Sequence, residues 1–143
     1  MRKFIVMTAA AAFMVACDSA TDPAVYPEWT GELEGATGYE QVEGDVEVKS
    51  KGSTFTAKID VTGAAQGAYR WEVAGGTCAQ PGSRVGAAAA YTNLDVGQEG
   101  TASRNVTVTG TLNGTSTYHA AVFRMVDDAR VDVACADLER DNS

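Results

Sequence analysis

Histidine is almost absent from this chain of 143 residues: His119 is the single one. Imidazole nitrogen suits copper and zinc, and one imidazole cannot supply a site built from several. His119 has no evident Ser or Cys partner and the sequence has no nucleophile elbow, so hydrolase chemistry is unsupported. Basic residues are scarce as well. Lys and Arg total 11 against 19 Asp and Glu, a formal charge of −8. Phosphate binding needs clustered cations, so nucleic acid is excluded as a partner, and electrostatic adhesion to anionic lipid is disfavoured. Beyond the first 16 residues no hydrophobic run approaches membrane length. No later segment has sustained helical periodicity, and no internal repeat is visible.

What is present begins with a leader. Arg2 and Lys3 precede an apolar run from Phe4 to Ala16, a charged region and a hydrophobic core of signal-peptide length. The run is too short to span a membrane as a mature helix. It ends in Met14-Val15-Ala16-Cys17, which resembles the bacterial lipobox, with Met14 where Leu is usual. That resemblance implies a signal helix over 1–16, cleavage before Cys17 and a diacylglyceryl thioether on its sulfur. An ordinary secretory signal followed by an incidental cysteine is the alternative. Removing Arg2 and Lys3 from the 11 basic residues leaves 9 against 19 acidic ones, a formal charge of −10. The lipid must then hold the protein to the membrane, each buried CH₂ contributing roughly 0.8 kcal/mol. Residues 17–27 are polar, carry Pro23 and Pro27, and read as a flexible tether. The expected location is the bacterial cell envelope, on the periplasmic or exported side.

With Cys17 lipidated, Cys78 and Cys135 remain. In an exported protein an isolated pair points to a disulfide. Closing so long a loop would stabilise by roughly 4 kcal/mol on the chain-entropy account. A free pair or an intermolecular bridge is the alternative.

From Glu28 onward the texture is strand and turn. Trp29 to Leu33 opens it. Val46 and Val48 alternate with acidic and basic neighbours, Lys51-Gly52-Ser53 turns, and Phe55, Ala57, Ile59 and Val61 alternate again. That pair predicts a hairpin. Tyr69, Trp71 and Val73 alternate with Arg70, Glu72 and Ala74 up to Gly75-Gly76, a strand with one large apolar face. Ala79 to Gly100 is rich in Gly and Ala and reads mostly as loop, with a short strand around Tyr91 to Leu94. Arg104 to Leu112 alternates, Asn113-Gly114 is a tight-turn signal, and Tyr118 to Met125 and Val131 to Leu138 are the last strands. Seven or eight short strands predict an all-β sandwich or flattened barrel over 28–140, with 141–143 as a tail.

The segment Tyr69-Arg-Trp-Glu-Val-Ala-Gly-Gly-Thr-Cys78 resembles the metal-ligand strand of copper/zinc superoxide dismutase-like domains, an aromatic, a His, an apolar residue and a second His before a glycine-bearing loop with a Cys. Tyr118-His-Ala-Ala-Val-Phe123 is similar to the family's later ligand strand, and Val133-Ala-Cys135-Ala-Asp-Leu138 to its terminal strand with the second half-cystine. The resemblance covers Glu28 to Leu138 and implies a Greek-key sandwich in which a Cys78–Cys135 disulfide pins the long loop. The family's His positions are held here by Glu72, Ala74 and Phe123, and its steering Arg corresponds to Asp132. Arg130 would replace that Arg only if a β-bulge shifted the register. The resemblance therefore implies a metal-free domain with no cofactor and no dismutase activity, lipid-anchored and structural or binding in role. The competing expectation is a metal-binding protein or residual dismutase with a reduced site near Glu72 and His119.

By alternation, His119, Ala121, Phe123 and Met125 share one face with Arg70, Glu72 and Ala74 of the other strand. His119 and Glu72 are then expected as a simple surface ion pair, or as the remnant of a single-metal site. Phe123 and Met125 fall on the outer face, under the long loop or as a small exposed patch for a partner. Asp127-Asp128 and Glu139-Arg-Asp141 lack calcium-loop spacing and read as a solvated turn and tail.

Overall fold

The computed structural model describes residues 26–142. The signal helix, Cys17 and most of the tether lie outside the described residues. Glu28 to Asp141 forms nine antiparallel strands. They are β1 (Glu28–Gly35), β2 (Glu43–Lys51), β3 (Thr54–Thr62), β4 (Gly67–Gly76), β5 (Pro81–Arg84), β6 (Leu94–Val96), β7 (Ala102–Thr109), β8 (Tyr118–Val126) and β9 (Ala129–Asp141), with one 3₁₀ turn at Ala88–Ala90. The order across the sheet is β5-β4-β8-β9-β1-β2-β3-β7, with β6 also paired to β4. The sheet curls into a half-barrel around one core.

Period-two patterning builds that core. Phe55, Ala57, Ile59 and Val61 point inward from β3, as do Tyr69, Trp71 and Val73 from β4 and Tyr118, Ala120 and Val122 from β8. The β2–β3 hairpin turns at Gly52, whose φ of +77° suits a residue without Cβ. The β8–β9 hairpin turns through Asp127 and Asp128, both at positive φ. This two-residue turn needs that conformation twice, and Asp tolerates it better than most side chains.

The stretch from Ala79 to Gly100 is mostly loop, and its two short strands, β5 and β6, both pair with β4. Trp71 Nε1 donates to the Thr92 carbonyl at 2.9 Å, and Tyr91 packs edge-on against Trp71 with ring centroids 5.3 Å apart. Three expectations change. The predicted strand at Tyr91 to Leu94 falls instead at Leu94–Val96. β7 ends at Thr109, and Leu112 reaches the core from the connection that follows. Glu139 to Asp141 is no tail, because β1 supplies partners as far as Glu28 opposite Asp141.

Candidate functional site

The outer face of β4, β8 and β9 carries Glu72, Ala74, His119, Phe123, Asp132 and Cys135. Residues directly opposite across an antiparallel ladder share a face, and the register lays them in rows. Ala74, His119 and Asp137 form one row, and Glu72, Ala121 and Cys135 the next. Arg70, Phe123 and Asp132 form the third. Between the second and third rows the β8–β9 register shifts, leaving Val133 as an extra residue on β9. This is a β-bulge, which bends a strand and re-aims its side chains.

Beyond the bulge, Arg130 turns back over the face. Its Nη1 donates to Glu72 Oε1 at 2.7 Å, and its Nε donates to Asp132 Oδ1 at 2.9 Å. The guanidinium lies 3.9 Å from the centroid of the Phe123 ring. Arg84 reaches the same carboxylate from β5, Nη1 to Oε2 at 3.4 Å. Glu72 is buried, and a buried carboxylate needs opposite charge close by. Here two guanidiniums from flanking strands provide it. Burial alone would lower the Arg130 pKa, but the bonds to Glu72 and Asp132 outweigh it and the net shift is upward. A surface pair between His119 and Glu72 is therefore not what forms. Ala121 stands opposite Glu72, whereas His119 stands opposite Ala74.

His119 is buried too, at 2% exposure, and its Nδ1 has no hydrogen-bond partner. The loop after β4 runs past β8 to reach β9, where Cys78 and Cys135 form a disulfide with Cα atoms 5.9 Å apart. The Cys78 N–H donates to Asp137 Oδ1 at 2.7 Å, tying the same loop to the His119 row. Gly76, at φ +84°, lets the chain leave β4 in that direction. Phe123 is buried as well, with Arg130 over its ring, while Met125 is 43% exposed. The outer patch anticipated from both residues reduces to Met125 and its neighbour Val126 near the hairpin tip.

Tyr91 holds the long connection from below. Its hydroxyl donates to the Val85 carbonyl at 2.6 Å. Burial pushes its pKa up to about 12. On the other side of the disulfide, the outer faces of β1, β2, β3 and β9 form a shallow concavity of about 860 Å³. Glu32, Glu34, Asp45, Glu47, Asp60, Asp137 and Glu139 line it, with Lys58 the one base and Cys78 and Cys135 at its rim.

Among the described residues, no three His, Cys, Asp or Glu side chains are grouped so as to hold a metal ion, and no helix is long and apolar enough to cross a membrane. The pairing of Arg84 and Arg130 with Glu72 escaped the sequence, although the β-bulge on which Arg130's reach was expected to depend is present. The bulge at Val133 that brings Arg130 to Glu72 leaves no periodicity signal. The chain matches no protein-family model and no curated protein.

Proposed function

We propose that the chain is a lipid-anchored protein of the bacterial cell envelope. Its β domain is a superoxide dismutase-like Greek-key scaffold without the metal ligands, with a structural or binding role rather than a catalytic one. The observation that carries this reading is what fills the outer face of β4 and β8. Glu72 is committed to Arg84 and Arg130, Ala74 is fully buried, and the ring of Phe123 lies beneath a guanidinium. These are the positions where the resemblance would want imidazoles. At these three positions the face is filled and its carboxylate already paired, so none of them offers a redox ion an imidazole or a free ligand. The strand order supports the Greek-key assignment: β7 returns beside β3 after a long excursion, and β8 and β9 insert between β4 and β1. The disulfide pinning the loop after β4 to β9 supports it as well.

The test is metal analysis of the untagged mature protein, purified without reductant. Copper and zinc well below one equivalent are expected, and stoichiometric copper or zinc would overturn the metal-free assignment. The anchor is tested separately. Cys17→Ser should move the protein to the soluble fraction, and a variant still bound to membranes would refute lipid anchoring.

A further inference from the structure

His119 is a buried base that the proposed role leaves unused. A buried polar atom left unpaired costs about 1–3 kcal/mol, so Nδ1 is a donor or acceptor kept in place at a cost. A carboxylate and one half of the disulfide stand near it in the β8–β9 register. Asp137 stands directly opposite His119, and Cys135 lies one pair further along, opposite Ala121. Opposed residues in such a ladder have Cβ atoms about 4.5–5.5 Å apart, and diagonal neighbours about 7–8 Å. Cys78 is already held to Asp137 through its N–H, which occupies Oδ1.

We propose that reduction of the Cys78–Cys135 disulfide converts this place into a site for a zinc-class divalent cation. Its ligands are the two sulfurs, the His119 imidazole and the Asp137 carboxylate. A disulfide sulfur is not a metal ligand, whereas a thiolate is, so the bond acts as the gate. With it closed, no set of three ligands exists among the described residues. A dithiol reductant opens it: two electrons and two protons pass to the S–S bond, giving two thiols, and the dithiol leaves as its own disulfide. On binding, the cation displaces both thiol protons to solvent. Two sulfurs, one nitrogen and one oxygen at about 2.0–2.3 Å make a tetrahedral set suited to zinc. The acidic concavity bordering Cys78, Cys135 and Asp137 concentrates cations at the entrance.

The experiment uses the untagged full chain carrying Cys17→Ser, so that Cys78 and Cys135 are its only sulfhydryls. It is titrated anaerobically with cobalt(II) before and after reduction by a phosphine. The phosphine delivers the same two electrons and leaves as its oxide, with oxygen from water. The oxidised chain should give no thiolate-to-cobalt charge-transfer band. The reduced chain should give one, saturating at one cobalt per chain and displaced by zinc. His119→Ala and Asp137→Asn should each weaken binding. Outer-shell changes alone cost 10–100-fold, so loss of the imidazole is expected to cost at least about tenfold. The proposal is overturned if the reduced chain binds no more cobalt than a Cys78→Ser/Cys135→Ser control, or if His119→Ala binds as tightly as the parent. Loss of the far-ultraviolet β signal on reduction, not recovered with cobalt, overturns it equally. Metal found only after reduction leaves the proposed function intact, whereas metal in the oxidised protein refutes that function instead.

Discussion

Replacing Arg130 by Ala measures what the bond across the bulge contributes. In the folded chain its Nη1 lies 2.7 Å from Glu72 Oε1, with the Glu72 side chain 9% exposed and that of Arg130 39% exposed. A hydrogen bond to a charged group contributes about 1.5–3 kcal/mol, and a fully exposed pair about 0–1. The half-exposed guanidinium puts this bond at the low end, about 1.5 kcal/mol. The stacking on Phe123 adds about 0.5 kcal/mol. The bond to Asp132, 66% exposed, adds nothing measurable. Arg84 stays within 3.4 Å of Glu72, so the carboxylate is weakened in its partners and not abandoned. The loss comes to about 2 kcal/mol, or roughly 6–10 °C in Tm for a domain of this size. Urea denaturation is the assay, because guanidinium salt would screen the pair. A double-mutant cycle with Glu72→Gln isolates the coupling and should return about 1 kcal/mol or more. If Arg130→Ala changes stability by less than about 0.5 kcal/mol, the range of an ordinary surface substitution, Glu72 is not neutralised as described.

Three further outcomes follow from the same geometry. The double variant Cys78→Ala/Cys135→Ala should lose about 4 kcal/mol on the chain-entropy account, given the 57-residue separation, read as a lower urea midpoint that reductant no longer changes. Tyr91→Phe removes the bond to Val85 and should cost about 1 kcal/mol at neutral pH. The Tyr91 hydroxyl is harder to ionise folded than unfolded, so the unfolded chain gives up the proton first as pH rises. The stabilisation is therefore complete below pH 10 and lost between about pH 10 and 12, and alkaline titration of the unfolding midpoint should show a steeper fall for the parent than for Tyr91→Phe. Asp127→Asn with Asp128→Gly relieves two side chains held at positive φ and should raise the urea midpoint by about 0.5–1 kcal/mol.

Where a strand has one apolar face, the sequence was a good guide to the fold. Phe55 to Val61 and Tyr69 to Val73 alternate cleanly because each buries every second side chain. The same alternation put His119, Phe123, Glu72 and Ala74 on one face, as observed. β5 was invisible for the opposite reason: Pro81, Gly82, Ser83 and Arg84 are all exposed, so nothing alternates. The end of β9 was hidden because Glu139 to Asp141 are charged, and β1 alone makes them a strand. At the site, alternation gives the face but not the neighbours across it. Which residue stands opposite Glu72 depends on register, and the reach of Arg130 depends on the extra residue at Val133. His119 is buried on that outer face, and alternation alone does not distinguish a buried outer face from a solvated one.

The pairing of Glu28 with Asp141 also has a mechanical meaning. These residues sit at one end of the β1–β9 ladder, so tension applied between them would load its rungs in succession instead of all together. Such a joint peels like a zipper and gives way at low force. A domain held only from its N-terminal side would feel no such pull. A cargo fused after Asp141 and drawn away from a fixed Glu28 would open the half-barrel along this seam first.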